Sequence, residues 1–296
     1  MSDHPFHIVD VFAERRWAGN QLAVVLDAAD LETATMQSIA REMNFSETSF
    51  VLERRPGARG YKVRIFTPVH EIPFAGHPTL GTAWVIREAL APARRDALTL
   101  ELGVGPIPVT FEATGAGTEL LWMRQRAPEF GPTAGADELA AALGLAPEDL
   151  DPQFPAQQVS TGLPFWIVPL RDIEAVRRCR VDAAGYERFI RTRDCQSIFV
   201  FARGAEQPGN HIHARMFSPY YGVAEDPATG SANGCLAAYL VERRVLGELE
   251  SIDLRVEQGH EMGRPSLLHL RAHKGDGDFD VRVGGSVVPV ARGSLL

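Results

Sequence analysis

The first 120 residues alternate between apolar positions at every second residue, which is typical of strands, and apolar positions with helical spacing. Strands are predicted at Phe6–Phe12, Gln21–Leu26, Thr48–Leu52, Tyr61–Phe66, Leu98–Leu102, Ile107–Glu112 and Glu119–Arg124. Helices are predicted at Leu31–Met43, where apolar residues share one side, and from Thr79 to about Ala91. Strands therefore dominate this part of the chain, with two helices between them.

The remaining residues repeat this mixture of elements. Helices are predicted around Ala136–Leu143, Ile173–Cys179 and Ser231–Arg244, and strands at Phe165–Val168, Ser197–Ala202 and His211–Phe217. Residues 127–137 are rich in proline and glycine, which favours a loop or linker. We therefore expect an α+β chain with an N-terminal half, residues 1–120, and a C-terminal half, residues 121–283. A strand at Gly284–Val290 is expected to cross back, so that residues 284–296 complete the first half.

Three short motifs occur twice and in the same order. Residues 49–54, 64–68 and 77–83 resemble residues 198–203, 215–219 and 226–232 in turn. The last pair, HPTLGTA and DPATGSA, begins at His77 and Asp226, an offset of 226 − 77 = 149. Shared turn signals explain part of this agreement, but two longer motifs with collinear partners favour an internal duplication. We expect two similar domains related by a pseudo-twofold axis, with the motifs facing each other across a cleft.

Each long motif combines residue types that suit the entrance of a helix. Proline is favoured in a first helical turn, and a glycine followed by threonine or serine lets the backbone approach a ligand. Two helix N-termini in one cleft would present N–H groups and partial positive charge, each dipole contributing roughly 0.3 to 1 kcal/mol toward a bound anion. The motifs therefore predict a site for a carboxylate.

The titratable residues near these motifs differ between the halves. His77 introduces one motif and Asp226 the other, so the two side chains could hydrogen-bond or share a proton. Glu47 stands between a helix and an apolar strand, whereas its counterpart Gln196 does not titrate, which indicates a single base. Burial among apolar groups would raise the pKa of Glu47 toward roughly 6 to 7, a range useful for proton transfer. An exposed glutamate at a strand start is the alternative interpretation.

The composition excludes several kinds of protein. Apolar residues make up 45% and charged residues 23% of the 296 positions, which is typical of a folded globular chain. A net charge of −8 gives no basic surplus, so nucleic acid is not an expected partner. Apolar stretches are too short to cross a bilayer and the N-terminus lacks a secretion signal, so we expect a cytoplasmic protein without membrane contact.

The cysteines and lysines of the sequence limit the cross-links and catalytic mechanisms that we expect. Cys179, Cys195 and Cys235 are too few and too scattered for a disulfide framework, and we interpret them as small buried hydrophobic residues. Lys62, in the predicted strand YKVRIF, and Lys274, in the polar turn HKGDGD, are the only lysines in the sequence, and we expect both to be solvated. A mechanism that needs a Schiff-base lysine is therefore disfavoured.

Two further patterns are similar to metal sites. His211-Ile-His213 would place two imidazoles on one face of a strand, but without a clear third ligand we prefer a surface strand. Residues 276–280, DGDFD, lack the glycine and the final glutamate of a calcium loop, so we expect a solvated hairpin turn. Arg264, in QGHEMGRPS, is a candidate clamp for a carboxylate or for the backbone. No metal site and no cofactor are therefore predicted.

Five segments spread from residue 8 to about 270 share one family pattern: VDVFAERRWAGNQLAVV, FSETSFV, RIFTPVHEIPFAGHPTLGTA, EDPATGSANG and EQGHEMGRPS. They resemble the phenazine-biosynthesis isomerase family, called PhzF-like, within the diaminopimelate-epimerase-like superfamily. The resemblance implies two similar domains, each a barrel-like mixed sheet around a central helix, and a homodimer. In that family the FSET glutamate moves a proton on a cyclic substrate, which falls here on Glu47. The histidine of AGHP and the aspartate of DPATGS, which fall on His77 and Asp226, assist.

The same resemblance implies residues that bind the substrate. Gly76 and Gly230 would lend backbone amides to its carboxylate, and Ser231 would help to hold it. Asn20 lines the same cleft. One departure is Gln21, which stands where the family usually has a proline, and this leaves the rigidity of the turn open.

Related amino-acid epimerases carry a cysteine at each helix entrance, where this chain has His77 and Asp226. Cys235 lies inside the second helix, so two-thiol epimerisation is disfavoured. We expect a cofactor-independent isomerase that moves a proton within a small carboxylated substrate, cyclic or derived from an amino acid. The alternatives are a non-catalytic protein that binds small acids, with or without a regulatory role, and a lyase or hydratase that uses the same glutamate.

Overall fold

The computed structural model describes residues 3–91, 95–115, 117–275 and 278–296. The elements up to residue 124 are β1 His4–Val11, β2 Asn20–Val25, α1 Thr33–Met43, β3 Glu47–Val51, β4 Tyr61–Phe66, β5 Glu71–Ile72, α2 Gly76–Ala89, β6 Ala97–Leu102, β7 Gly105–Ala113 and β8 Glu119–Arg124. They are followed by β9 Glu129–Thr133, α3 Ala136–Leu143, β10 Gln157–Ser160, β11 Pro164–Pro169, α4 Ile173–Arg178, α5 Ala183–Ile190, β12 Ile198–Arg203, β13 Ile212–Ser218, β14 Val223–Asp226, α6 Gly230–Glu242, β15 Ser251–Gln258, β16 Ser266–Lys274, β17 Phe279–Gly285 and β18 Val287–Leu295. Short 3₁₀ turns lie at Ala28–Asp30, Pro147–Asp149, Pro219–Tyr221 and His260–Met262.

The chain divides into two compact units, and the predicted α+β class is confirmed. Unit 1 comprises the residues up to Arg124 together with Gly284–Leu296, and unit 2 comprises Gln125–Val283. The C-terminal strand β18 belongs to unit 1, where it pairs antiparallel with β1. Within the described residues, no helix combines the length and the apolar character needed to cross a bilayer.

In unit 1 a mixed sheet packs around one helix. β2 pairs antiparallel with β1 and parallel with β3, β4 pairs antiparallel with β3 and parallel with β6, and β7 pairs antiparallel with β6 and β8. Helix α2 contacts β1, β2, β3, β6, β7, β8 and β18, and it is buried along most of its length. Gly81 permits this close packing, since a Cβ there would lie 2.6 Å from Leu22 Cδ2 and 2.8 Å from Val11 Cγ2.

Helix α1 packs on β3 and β4 with a narrower apolar face. Met36 and Ala40 of this helix are buried in one cluster with Phe50 and Phe66. The two phenylalanine rings meet edge to face with centroids 5.4 Å apart, a favourable arrangement of aromatic rings. The helical spacing found in the sequence therefore corresponds to a real buried stripe.

Unit 2 has the same order of strand pairings as unit 1. β10 pairs antiparallel with β11, β11 parallel with β12, β12 antiparallel with β13, β13 parallel with β15, and β15 antiparallel with β16. Helix α6 contacts β10, β11, β15 and β16 and is buried from Gly230 to Val241. Helices α3, α4 and α5 contribute to a separate cluster in which Trp166 and Phe189 pack edge to face.

Equivalent contacts give the correspondence between the two units. Arg64 forms two hydrogen bonds with the carboxylate of Glu71, at 2.8 and 2.6 Å, and Arg215 forms two with Glu225, both at 2.8 Å. The acidic residues of these pairs are 225 − 71 = 154 positions apart. This offset differs from the 149 predicted by matching HPTLGTA with DPATGSA.

The starts of the central helices follow the larger offset. Gly76 and His77 begin α2, and Gly230 and Ser231 begin α6, again 154 positions apart. The prediction that Asp226 is the counterpart of His77 is therefore wrong, since Ser231 occupies that helical position. The expectation that proline lies in the first turn of both helices is also wrong, because Pro227 precedes α6.

The length of one hairpin raises the offset from 215 − 64 = 151, between the two paired arginines, to 154 after the hairpin. In unit 1, Ile65 of β4 pairs with Ile72 of β5, 72 − 65 = 7 positions later. In unit 2, Met216 of β13 pairs with Asp226 of β14, 226 − 216 = 10 positions later. The second hairpin is therefore three residues longer, which displaces everything after it in the repeat.

The proline- and glycine-rich segment 127–137 differs from the predicted loop. Residues Glu129–Thr133 form β9, which pairs antiparallel with β10. Its residues are exposed or half-buried, and proline is tolerated in exposed strands where its missing N–H leaves no neighbour without a donor. Composition alone therefore misassigned this strand.

Candidate active site

Glu47 and His77 lie in contact within unit 1. Glu47 is the first residue of β3, in register with Leu22 of the parallel strand β2, and His77 is the second residue of α2. Glu47 Oε2 lies 3.4 Å from His77 Nε2, and the two side chains are 17% and 5% exposed. A carboxyl group and an imidazole nitrogen are thus in contact, and both side chains are largely shielded from water.

His77 is held as a neutral imidazole. Burial lowers its pKa from 6.5 to about 3, although a hydrogen bond with the backbone of Gln21 raises it slightly. Since that bond favours the protonated ring, the ring donates it to the Gln21 carbonyl. Nε2 forms no hydrogen bond, so the bond to Gln21 engages Nδ1 and leaves the lone pair of Nε2 on the side of Glu47.

The N-terminus of α2 has no side-chain cap. Ala75 occupies the cap position in extended conformation and offers no acceptor, and Gly76 follows it as a buried residue. Backbone N–H groups at such a helix start favour an anion. Asn20, the first residue of β2, is 2% exposed and precedes the residue that binds the His77 ring. Asn20, Glu47, Gly76 and His77 are therefore grouped by contact or by chain adjacency in unit 1.

Asp226, Gly230 and Ser231 are grouped in unit 2. Asp226 ends β14 and is 7% exposed, and its carboxylate accepts a hydrogen bond from the hydroxyl of Thr229. Thr229 is the cap residue of α6, but its side chain does not cap the helix. Gly230 and Ser231, both buried, begin a second helix that the side chain of its cap residue leaves uncapped.

Gln258, at the end of β15, is a functional candidate that sequence reasoning missed. Its amide nitrogen donates to the Asp226 carbonyl at 2.8 Å and to Thr229 Oγ1 at 3.1 Å. Its amide oxygen accepts from the Thr229 backbone N–H at 3.1 Å and from Asn233 Nδ2 at 3.0 Å. One fully buried side chain thus fixes the segment from Asp226 to Thr229. The available signal was its place in the family segment EQGHEMGRPS.

The turn after Gln258 packs closely against the same segment. Gly259 has φ of 76°, and a Cβ there would lie 2.6 Å from the Pro227 carbonyl oxygen. The Arg264 backbone N–H donates to the Gly259 carbonyl at 3.0 Å and closes the turn. A side chain at position 259 would therefore push on the residues that precede α6, while the clamp role of the Arg264 side chain stays a prediction.

The prediction of a surface strand for His211-Ile-His213 is wrong. His211 precedes β13 and is exposed, whereas His213 is fully buried. Helix α4 contacts β13, and every residue of this strand is buried. His213 Nε2 lies 2.8 Å from Glu261 Oε1, and single ligand atoms of Glu206, His213 and Glu261 lie within 4.8 Å of one another, a spacing that a metal ion could bridge. Asp276, part of the predicted hairpin turn, lies outside the described residues.

The three cysteines are free and buried, which confirms their interpretation as hydrophobic residues. Burial raises the pKa of Cys179 and of Cys235 to about 12, and that of Cys195 to about 11. A thiol with such a pKa is protonated at neutral pH and is a poor nucleophile. Cys235 lies in the interior of α6, one turn beyond Ser231.

Comparison with known proteins shows which family the chain resembles along nearly its whole length. The family described as phenazine biosynthesis-like protein, PhzC-PhzF, matches residues 9–293. The trans-2,3-dihydro-3-hydroxyanthranilate isomerase of Pseudomonas aeruginosa is 38% identical over 292 residues, covering 98% of each chain. The crystal structure of a PhzF-family phenazine biosynthesis protein from Bacillus anthracis covers 100% of both chains with a TM-score of 0.91 and 30% identity. A probable proline racemase from Agrobacterium radiobacter has the same fold, with a TM-score of 0.62 at 12% identity over 99% of this chain and 93% of its own.

These similarities define an enzyme of the isomerase class, built on the fold that PhzF proteins share with proline racemase. The chain belongs to the phenazine biosynthesis-like protein family. The predicted family and the predicted class of enzyme are therefore confirmed.

Proposed function

We propose that the protein moves a proton between two carbon atoms of a small cyclic substrate that carries a carboxylate, with Glu47 as the acid/base and without a cofactor. The observation that carries this proposal is the contact of 3.4 Å between Glu47 and a histidine that burial keeps neutral. In such a reaction one C–H bond breaks, its electron pair moves through the unsaturated ring, and another C–H bond forms. No electrons are gained or lost, so a redox cofactor has no part to play.

His77 supports the proton transfer by accepting a hydrogen bond. When Glu47 holds a proton, its carboxyl group can donate to the lone pair of His77 Nε2. When Glu47 is ionised, that contact sets two acceptor atoms against each other and is unfavourable. A neutral histidine in this position therefore stabilises the protonated form of the base, which is the form that follows proton abstraction.

The substrate carboxylate is assigned to the helix N-termini. Gly76 and Gly230 each begin a central helix without a side-chain cap, which leaves their amides suited to an anion. Asn20 and Ser231, both buried, are assigned to orient the substrate, and Asp226 to assist the proton transfer. Variants at these positions should then raise KM.

The relatives indicate the chemical class of the substrate. Full-length relatives from three Pseudomonas species, 38% identical, are named trans-2,3-dihydro-3-hydroxyanthranilate isomerase. That compound is a cyclic carboxylate with a proton that can move between ring carbons. We therefore infer that the substrate of this protein is the same compound or a cyclic carboxylate related to it.

The experiment is conversion of trans-2,3-dihydro-3-hydroxyanthranilate by the purified protein in heavy water, followed by NMR and mass spectrometry. The proposal predicts a product of unchanged composition apart from at most one deuterium at the carbon that is protonated. A product differing by one water would indicate a lyase or hydratase. Thermal stabilisation by the compound without any conversion or exchange would indicate a binding protein, and either result would contradict the proposal.

A further inference from the structure

A buried charge cluster lies directly behind the segment that holds Asp226. His213 is fully buried in β13, in register with Glu257 of the parallel strand β15. Its Nε2 lies 2.8 Å from Glu261 Oε1 and its Nδ1 lies 3.4 Å from Glu257 Oε2. The imidazole thus stands between two carboxylates that are four residues apart, one on each side of Gln258 and Gly259.

The groups around His213 favour a positive charge on the ring. Burial alone would lower its pKa, but hydrogen bonds and charge from Glu261, followed by Glu257 and Glu206, raise the pKa above 6.5. Glu257 is itself held in place, since it accepts from the backbone N–H groups of Glu206 and Gln207 at 2.7 and 2.8 Å and from Asn210.

The other charged groups that face the cluster are Arg215, Arg177, His260 and Glu206. Arg215, two residues along the same strand, lies 3.9 Å from Glu261 Oε2, and it also binds Glu225 and donates to the carbonyls of Val176 and Cys179. Arg177 binds Glu206 at 2.8 Å, and the His260 ring lies 3.4 Å from Glu206 and edge to face with His213. Among the described residues, the ring of His213 is therefore the basic group paired with both Glu257 and Glu261, while His260 lies 4.0 Å from Glu257 alone of these two.

The cluster connects to the site through two routes of contact. Glu257 and Glu261 bracket Gln258, whose side chain makes four hydrogen bonds with Asp226, Thr229 and Asn233. On the same strand as His213, Arg215 binds both oxygens of Glu225, the residue before Asp226. Arg215 of β13 thus binds the first residue of the segment from Glu225 to Gly230, and His213 of the same strand is connected to its later part through Gln258. The corresponding strand of unit 1 has Lys62, which is exposed, at 213 − 151 = 62, so only the Arg64–Glu71 pair recurs there.

We propose that His213 is a positioning residue for the proposed reaction: as an imidazolium between Glu257 and Glu261 it fixes the Gln258 turn, and through Gln258 it sets the amides at the start of α6 that bind the substrate carboxylate. This inference rests on the proposed function. The proton on His213 occupies the place where a metal ion could bridge Glu206 and Glu261, and the Arg215 guanidinium beside Glu261 disfavours a second cation there. Substrate affinity then depends on the protonation of a residue that does not touch the substrate.

The test uses the His213→Gln variant, which can keep a hydrogen bond but not the charge, with His211→Gln as the matched control on the exposed neighbour. For trans-2,3-dihydro-3-hydroxyanthranilate we expect KM to rise about tenfold in His213→Gln, with kcat changed less than threefold, at a temperature well below unfolding. Wild-type KM should rise with pH above 6.5, while the variant shows a flat profile. A fall in stability with an unchanged KM would mean that His213 is only structural and would overturn the proposal.

A second readout does not depend on activity. Hydrogen–deuterium exchange of the peptide spanning residues 225–234 should quicken in His213→Gln relative to wild type at pH 6 and remain normal in His211→Gln. If wild type fails to convert the compound but this exchange still quickens, the proposed function is wrong and the positioning role stands. If wild type is active and exchange in 225–234 is unchanged, the positioning role is wrong. One equivalent of bound zinc that is lost in His213→Gln would also overturn the proposal, because a metal would then hold the carboxylates.

Discussion

Glu47 Oε2 stands 3.4 Å from Nε2 of His77, and the imidazole, with its pKa lowered to about 3, is uncharged at neutral pH. The two residues come from different elements, the start of β3 and the start of α2, and both elements belong to the same unit. A neutral partner cannot form a fixed ion pair with the carboxylate, so Glu47 remains able to take up and release a proton. This is the relationship from which the proposed mechanism follows.

The first prediction concerns acid stability. Unfolded His77 binds a proton below pH 6.5, whereas the folded protein resists this until about pH 3. The free energy of unfolding should therefore fall by about 1.4 kcal/mol per pH unit from this residue as the pH drops through that window. Urea denaturation between pH 7 and 4 checks this, with His77→Gln as the comparison. An equal slope in the variant would show that His77 titrates normally in the folded state.

The second prediction concerns alkaline stability and has the opposite sign. The pKa of His213 is raised, because its acidic neighbours outweigh burial, so the folded state holds a proton that the unfolded chain releases. Its contribution is complete below pH 6.5 and is lost as the pH rises through the raised pKa. Wild type should therefore lose stability more steeply than His213→Gln as the pH rises above 6.5, as measured by urea midpoints. His211→Gln should retain the wild-type slope.

The third prediction concerns the hydroxyl of Thr229, which donates to Asp226 and accepts from Gln258. Thr229→Val keeps the shape but removes the donor, and a hydrogen bond to a charged group contributes about 1.5 to 3 kcal/mol. We expect kcat/KM for the candidate substrate to fall about tenfold or more. Thr229→Ser, which keeps the hydroxyl, should retain most of the wild-type kcat/KM. An equal loss in both variants would show that changed packing, and not the lost hydrogen bond, lowers kcat/KM.

The fourth prediction concerns the packing of α2. A methyl group at Gly81 would meet Leu22 and Val11 at 2.6 and 2.8 Å, and such overpacking costs about 1 to 3 kcal/mol. Gly81→Ala should lower the urea midpoint by a corresponding amount at constant m-value. Gly115→Ala, where a Cβ would meet nothing within 4 Å, is the control. A wild-type midpoint in Gly81→Ala would mean that the helix can move away from the sheet at little cost.

Local pattern predicted most element positions because the elements have local causes. Helix α3 has the predicted bounds, Ala136–Leu143, since Gly135 precedes it and Gly144, in left-handed conformation, follows it. The start of α2 lies three residues before the predicted Thr79, because Pro78 sits inside the first turn, where its missing N–H is not needed. The sequence marked the region of that boundary but not the residue.

The parts that sequence missed depend on contacts between distant segments. Gln258 and Asp226 are 258 − 226 = 32 positions apart in sequence. They come into contact only in the folded chain, where Gln258 ends β15. His213 was assigned to the surface because nothing near it in sequence shows that α4 covers its strand. The offset of the repeat was misjudged because the two glycine-rich motifs also match at 149, and the sequence does not show that the second hairpin is three residues longer.

The most direct test of the account is the rate at which Glu47→Gln converts trans-2,3-dihydro-3-hydroxyanthranilate in heavy water, measured beside wild type and beside Glu53→Gln, a substitution of an exposed glutamate just after the same strand. Glutamine keeps the shape of Glu47 but cannot accept the proton. The account predicts a loss of about 10² to 10⁴-fold in Glu47→Gln, with no deuterated product above background, and wild-type behaviour in Glu53→Gln. Conversion and deuterium uptake at the wild-type rate in Glu47→Gln would contradict it.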